Sequence, residues 1–150
     1  MSSTVSLADL LSPENIAVDH PATGKHELLG TLSAKAAAYA QLPAEVVQTA
    51  LDKREALGST GMGGGIAVPH ARLPGLARPF GLMVRLRKPI DFDAVDGEPV
   101  DIVFLLLLPE PGSTQALAMV ARKLRDRSLL EKFRSAKDAR ELHALIAGPG

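Results

Sequence analysis

Hydrophobic and polar positions along this chain alternate between helical and strand periods, the pattern of an α/β domain rather than a helical bundle. Leu7 to Leu11 reads as a short amphipathic turn stopped by Ser12-Pro13, and Ile16 to Val18 as a first strand. From Lys25 to Gln41 an alanine-rich stretch sets Leu28, Leu29, Leu32, Ala36 and Tyr39 along one side of a helix. Pro43 suits the first position of a second helix, with Val46, Val47, Ala50, Leu51 and Leu57 predicted to face inward. That helix runs into a cluster of glycines.

Phe80 to Arg87 then alternates Leu82, Val84 and Leu86 with Met83, Arg85 and Arg87, a period of two that suits a sheet edge or a half-covered strand. The unbroken apolar run Ile102 to Leu108 suits a strand buried on both faces, which requires helices on each side of the sheet. Between the two runs, Asp96-Gly97 predicts a hairpin turn. Ser113 or Thr114 is placed to cap a helix carrying Leu117, Val120, Ala121 and Leu124, and Lys137 to Ile146 reads as a last amphipathic helix. The expected fold is a single α/β domain over residues 1–150, its core from about 7 to 146, with a mixed β-sheet flanked by helices on both faces.

Composition narrows the choice of function. Lys plus Arg and Asp plus Glu each number 17, so no charge excess points to nucleic acid or an acidic membrane surface. Cysteine is absent, which removes disulfides, thiol catalysis and thiolate-bound metal. No basic segment followed by an apolar run marks a secretory signal, and Ile102 to Leu108 is far short of the ~20 residues that span a bilayer. The expectation is a cytoplasmic protein without membrane insertion.

Candidate chemistry centres on His70, which follows Gly58-Ser-Thr-Gly-Met-Gly-Gly-Gly-Ile-Ala-Val-Pro. An ordinary imidazole has a pKa near ~6.5, so at neutral pH it is mostly neutral and nucleophilic. Five glycines from Gly58 to Gly65 allow backbone angles closed to other residues, and their N–H groups are expected to converge on an anion. Pro69 stiffens the approach and holds Val68 extended. Most such loops are simple turns and most lone histidines are ordinary residues. Neither a Gly-Lys-Ser/Thr ending nor a G-x-G-x-x-G after a strand is present, which argues against a nucleotide site.

Arg54, near the end of the second helix, is within reach of an anion on His70, and its planar fork suits phosphoryl oxygens better than a lysine. Ser59 and Thr60 are candidate lining residues, although hydroxyls in such loops commonly brace the turn. Arg72 is a candidate for an electropositive rim. Asp91, Asp93, Asp96, Glu98 and Asp101 do not fit a calcium loop, since Val95 takes the third ligand position. His20, His26 and His143 form no metal pair with His70, so no metal and no cofactor are assigned.

The segment Arg54-Glu55-Ala56-Leu57-Gly58-Ser59-Thr60-Gly61-Met62-Gly63-Gly64-Gly65-Ile66-Ala67-Val68-Pro69-His70 closely resembles the active-site segment of phosphotransferase system enzyme IIA domains of the fructose/mannitol type. Pro89 to Asp101 with the following apolar run, and Val120-Ala121-Arg122-Lys123-Leu124, resemble that family's hairpin, central strand and next helix. The resemblance implies a mannitol-IIA-like fold and a phosphohistidine carrier. His70 would be the phosphoacceptor through Nε2, Arg54 would stabilise the phosphoryl group, and Ser59, Thr60, Gly61 and Gly63 would line it. Its donor would be a phosphorylated HPr-like or NPr-like protein.

Many relatives carry a second histidine at the start of the helix after the central strand, where this chain has Gln115. A glutamine can donate to a phosphoryl oxygen but does not titrate near neutrality. That change, with no fused IIB or transporter domain, favours the nitrogen-regulatory branch acting on protein targets over transfer to a sugar-specific IIB protein. A non-phosphorylated binding adaptor is a third reading. A hydrolase with His70 as general base is weaker, because no nucleophile or paired carboxylate stands convincingly beside it.

Overall fold

The computed structural model describes residues 7–109 and 114–147. A short helix α1 (Leu7–Leu10) leads into strand β1 (Ile16–His20), then helices α2 (Lys25–Ala40) and α3 (Ala44–Ala56). Strands β2 (Gly61–Gly63), β3 (Ile66–Ala67), β4 (His70–Leu73), β5 (Phe80–Ile90) and β6 (Val100–Pro109) follow, and helices α4 (Thr114–Leu124), α5 (Arg127–Ser135) and α6 (Ala139–Ala147) complete the chain.

The strands form one mixed sheet in the order β1-β5-β6-β3-β2, with β4 also laddered on β6. β5 and β6 pair antiparallel around the Asp96-Gly97 turn, where Gly97 takes φ +73° and its N–H bonds Ala94 O at 2.9 Å. β6 is the spine of the molecule, and its pleat divides its side chains between two layers. Ile102, Phe104, Leu106 and Leu108 pack beneath α1, α4, α5 and α6. Val103, Leu105 and Leu107 pack beneath α2 and α3. All seven are fully buried, as expected for a strand covered on both faces.

Several positions depart from the sequence reading. The Phe80 strand is neither an edge nor half-covered: β5 lies between β1 and β6 and Met83 is buried. Its half-buried Arg85 donates to Phe133 O at 2.8 Å and Ala136 O at 2.6 Å, satisfying carbonyls at the end of α5. Val46 is 46% exposed and Leu57, beyond the last turn of α3, is 84% exposed, so neither faces inward. Tyr39 is half exposed because its ring stacks on Phe80 at 5.7 Å between centroids instead of entering the core. Pro43 precedes α3 as its extended cap residue. Helix α5, absent from the sequence reading, starts at Asp126, whose carboxylate accepts from Leu129 N. The proposed cap at Ser113 lies outside the described residues.

Candidate active site

β3 and β4 are two pieces of one edge of β6, Ile66 opposite Ile102 and His70 opposite Leu106. Pro69 has no N–H to give and interrupts the strand, but its carbonyl still accepts from Leu106 N at 2.9 Å. His70 therefore begins a rigid strand just past a break. Its Nδ1 lies 2.9 Å from Val68 O, which can only accept, so Nδ1 carries the proton and Nε2 the lone pair. Arg54 Nε donates to that lone pair at 3.3 Å, while its Nη1 donates to Gly58 O at 2.8 Å. The end of α3 thus holds a guanidinium against the reactive nitrogen.

Partial burial pushes the His70 pKa below its ordinary value; the Val68 carbonyl opposes this, Arg54 adds to it, Glu55 opposes and Arg72 adds. At neutral pH the imidazole is neutral. It opens into a cavity of about 400 Å³ whose walls include Ser59, Thr60 and Gly61 from the loop and Leu117, Ala121 and Arg125 from the α4 side.

The glycine loop is a β-hairpin rather than an open cradle. Gly63, Gly64 and Gly65 turn with positive φ between β2 and β3, and three N–H groups of the loop are already satisfied inside the protein. Thr60 N donates to Glu55 Oε1 at 3.2 Å, Gly61 N to Ser59 Oγ at 3.0 Å and Gly64 N to Asp96 Oδ2 at 3.1 Å. The expected convergence of successive N–H groups on an anion is therefore not what these glycines provide. They provide close approach: a Cβ on Gly61 would stand 2.8 Å from the Ala94 backbone, and Gly65 lies against Arg134 and Asp101.

Both hydroxyls brace this hairpin. Ser59 Oγ donates to Phe92 O at 2.6 Å, and the buried Thr60 hydroxyl bonds Glu55 Oε2. Glu55 in turn pairs with Lys25 Nζ at 2.9 Å. Arg72 is exposed on β4 and borders a different depression beside α3, together with Lys53. Gln115 is exposed on the first turn of α4 and does not line the His70 cavity. At 100° per residue it points away from the face shared by Leu117 and Ala121. The sequence reading missed Arg125, which continues that face at the same spacing of four.

Among the described residues no helix is long and apolar enough to cross a membrane, and no three His, Cys, Asp or Glu side chains converge as a metal site would require. A neutral imidazole held in one tautomer beside a guanidinium can attack an electrophilic phosphorus with charge support at hand.

Comparison with known proteins shows the family. A nitrogen regulatory protein of Bradyrhizobium diazoefficiens is 42% identical over 146 residues, covering 95% of each chain. The crystal structure of nitrogen regulatory protein IIA-Ntr from Neisseria meningitidis superposes with a TM-score of 0.88 at 31% identity, covering 93% of this chain and 98% of the other. A fructose-specific EIIA component of Haloferax volcanii is 31% identical and covers 97% of this chain and 94% of its own. The family "Phosphoenolpyruvate-dependent sugar phosphotransferase system, EIIA 2" matches residues 9–148, and the chain belongs to it.

Proposed function

We propose that this chain is a phosphohistidine carrier, accepting a phosphoryl group on His70 from a phosphorylated HPr-like or NPr-like protein and acting mainly as a cytoplasmic nitrogen-type regulatory switch. One observation carries the reading: Nδ1 is held by Val68 O, so Nε2 is left as an unprotonated nucleophile directly beside Arg54. In the transfer, the Nε2 lone pair forms the new N–P bond as the donor's N–P bond breaks, and the donor imidazole leaves with that electron pair. The positive charge that grows on the His70 ring is stabilised through Nδ1–H by Val68 O. Arg54 turns from the lone pair to the phosphoryl oxygens, so attack and charge compensation occur without a metal step.

Val95, exposed in the cavity wall, gives a protein donor apolar surface to press on. Once His70 carries a charge of roughly −2, protein targets meet a different surface, and that change is the regulatory output. A second reading, transfer onward to a IIB protein, is favoured by the similarity to a fructose-specific component.

Purified protein incubated with phosphoenolpyruvate, enzyme I and an HPr-type carrier is expected to gain one acid-labile phosphoryl mass, and His70→Ala none. No gain with an active donor system refutes the carrier and favours an adaptor. Passage of the label to a IIB protein favours the second reading.

A further inference from the structure

Charge does not balance around His70. Its cavity is lined by two arginines, Arg54 and Arg125, and among the described residues by no carboxylate. The nearest acid to Arg54 in sequence, Glu55, is committed to Lys25 and Thr60. The nearest acid to Arg125, Asp126, is turned to Leu129 N at 3.2 Å to cap α5. Ion pairs among the described residues join Lys25 to Glu55 and Asp93, and Arg134 to Asp101; none reaches Arg54 or Arg125.

Arg125 is an exposed residue on a fixed backbone. It occupies the tight turn between α4 and α5, where its N–H bonds Arg122 O at 3.3 Å and the next N–H, of Asp126, bonds Lys123 O at 3.3 Å. With Leu117 and Ala121 it forms a row at i, i+4 and i+8 that faces the imidazole cavity. Two guanidinium groups without acids, converging from α3 and from the α4–α5 turn on one pocket, make a site for a dianionic tetrahedral oxyanion.

We infer that Arg125 is the second arm of the anion clamp at His70, holding the oxygens of the phosphoryl group on Nε2 from the side opposite α3. This rests on the reading of His70 as phosphoacceptor. Arg125 forms and breaks no covalent bond and moves no proton, since a guanidinium stays charged throughout. Its two parallel donors meet the charge that Arg54 alone leaves half compensated.

The test compares wild type with Arg125→Gln and Arg125→Lys in two measurements. In the first, the single-turnover rate of phosphoryl acceptance is read at saturating phosphorylated HPr-type carrier. In the second, inorganic phosphate is titrated while the His70 ring resonance is followed by NMR. Arg125→Gln is expected to lower the saturated rate and the phosphate affinity each about tenfold, the low end for a charge-assisted hydrogen bond because Arg125 is exposed. Arg125→Lys is expected to recover part of both. Unchanged values for Arg125→Gln, or a change confined to the donor KM, overturn the clamp. If wild type takes no phosphoryl group, the carrier reading fails and the phosphate arm decides alone. Weaker phosphate binding by Arg125→Gln then upholds an anion clamp, while equal binding, or no binding by wild type, overturns it.

Discussion

Replacing Glu55 with alanine should unfasten the loop that lines the His70 cavity, and the structure sets the size of the effect. The carboxylate is 7% exposed, pairs with a Lys25 ammonium that is 19% exposed, and accepts from both the N–H and the hydroxyl of Thr60. Removing one partner of a buried pair costs about 3–5 kcal/mol, because the other charge and the buried donors are left behind. Lys25 keeps some solvent, the face of Phe92 at 4.8 Å and an exposed Asp93 at 3.6 Å, which places Glu55→Ala near the lower bound, about 3 kcal/mol. For a domain of this size that is a fall of about 6–12 °C in Tm. Glu55→Gln keeps the shape and one acceptor for the Thr60 N–H, turns an NH2 donor toward the Thr60 hydroxyl and loses the charge, and should cost about half as much. Urea denaturation of Glu55→Ala, Thr60→Val and the double variant closes the cycle and should return a coupling above about 1 kcal/mol. If Glu55→Ala stays within about 1 kcal/mol of wild type, Glu55 is not the fastening of the Thr60–Gly61 loop.

Titration of the His70 ring by NMR should give a midpoint below the ordinary ~6.5, and Arg54→Gln should raise it by removing one of the charges that lower it. Because the folded state resists protonation, this group's contribution to stability is complete above ~6.5 and is lost as pH falls toward the folded-state value, so Tm against pH should be flatter there for His70→Ala. A wild-type midpoint at or above 6.5 contradicts the buried, arginine-flanked imidazole. Ser59→Ala unpairs Phe92 O and Gly61 N and should cost about 2 kcal/mol in denaturant melts; lost phosphoryl acceptance with full stability would instead put that hydroxyl in the chemistry. Gly65→Ala forces a side chain into φ +85° and against the Arg134–Asp101 pair, for a loss of about 2 kcal/mol or more by the same melts. Val95→Ser, at an exposed position in the cavity wall, should leave Tm unchanged within error while raising the KM for the phosphorylated donor.

How much of this was legible depended on how local each signal is. The central strand was plain in the sequence, since an unbroken apolar run has no way to sit half exposed, and the Asp96-Gly97 turn follows from the one residue type that accepts φ +73° cheaply. Leu57 does not face inward because α3 ends at Ala56, one residue before it, and nothing beyond that end covers the side chain. Arg85 read as a solvent-facing residue because its partners, Phe133 O and Ala136 O, lie far along the chain. Helix α5 carried a local sign, Asp126 three residues before Leu129, yet its apolar positions are few among charges. At the site, the pairing of Arg54 with His70 was carried by the motif, whereas the fate of the loop N–H groups was not. Those depend on Glu55, Ser59 and Asp96 side chains, whose positions only the folded chain settles.

The ladder between β4 and β6 sets a clock on the protein's birth. His70 is aligned by Leu106 and its strand runs to Pro109, so a ribosome that has just added the histidine has made a residue and not yet a site. The strand that carries the imidazole finds its ladder partners, Leu106 to Pro109, only after β6 has emerged. Messages cut short before Val100 therefore yield fragments with the full motif and no ladder to hold it.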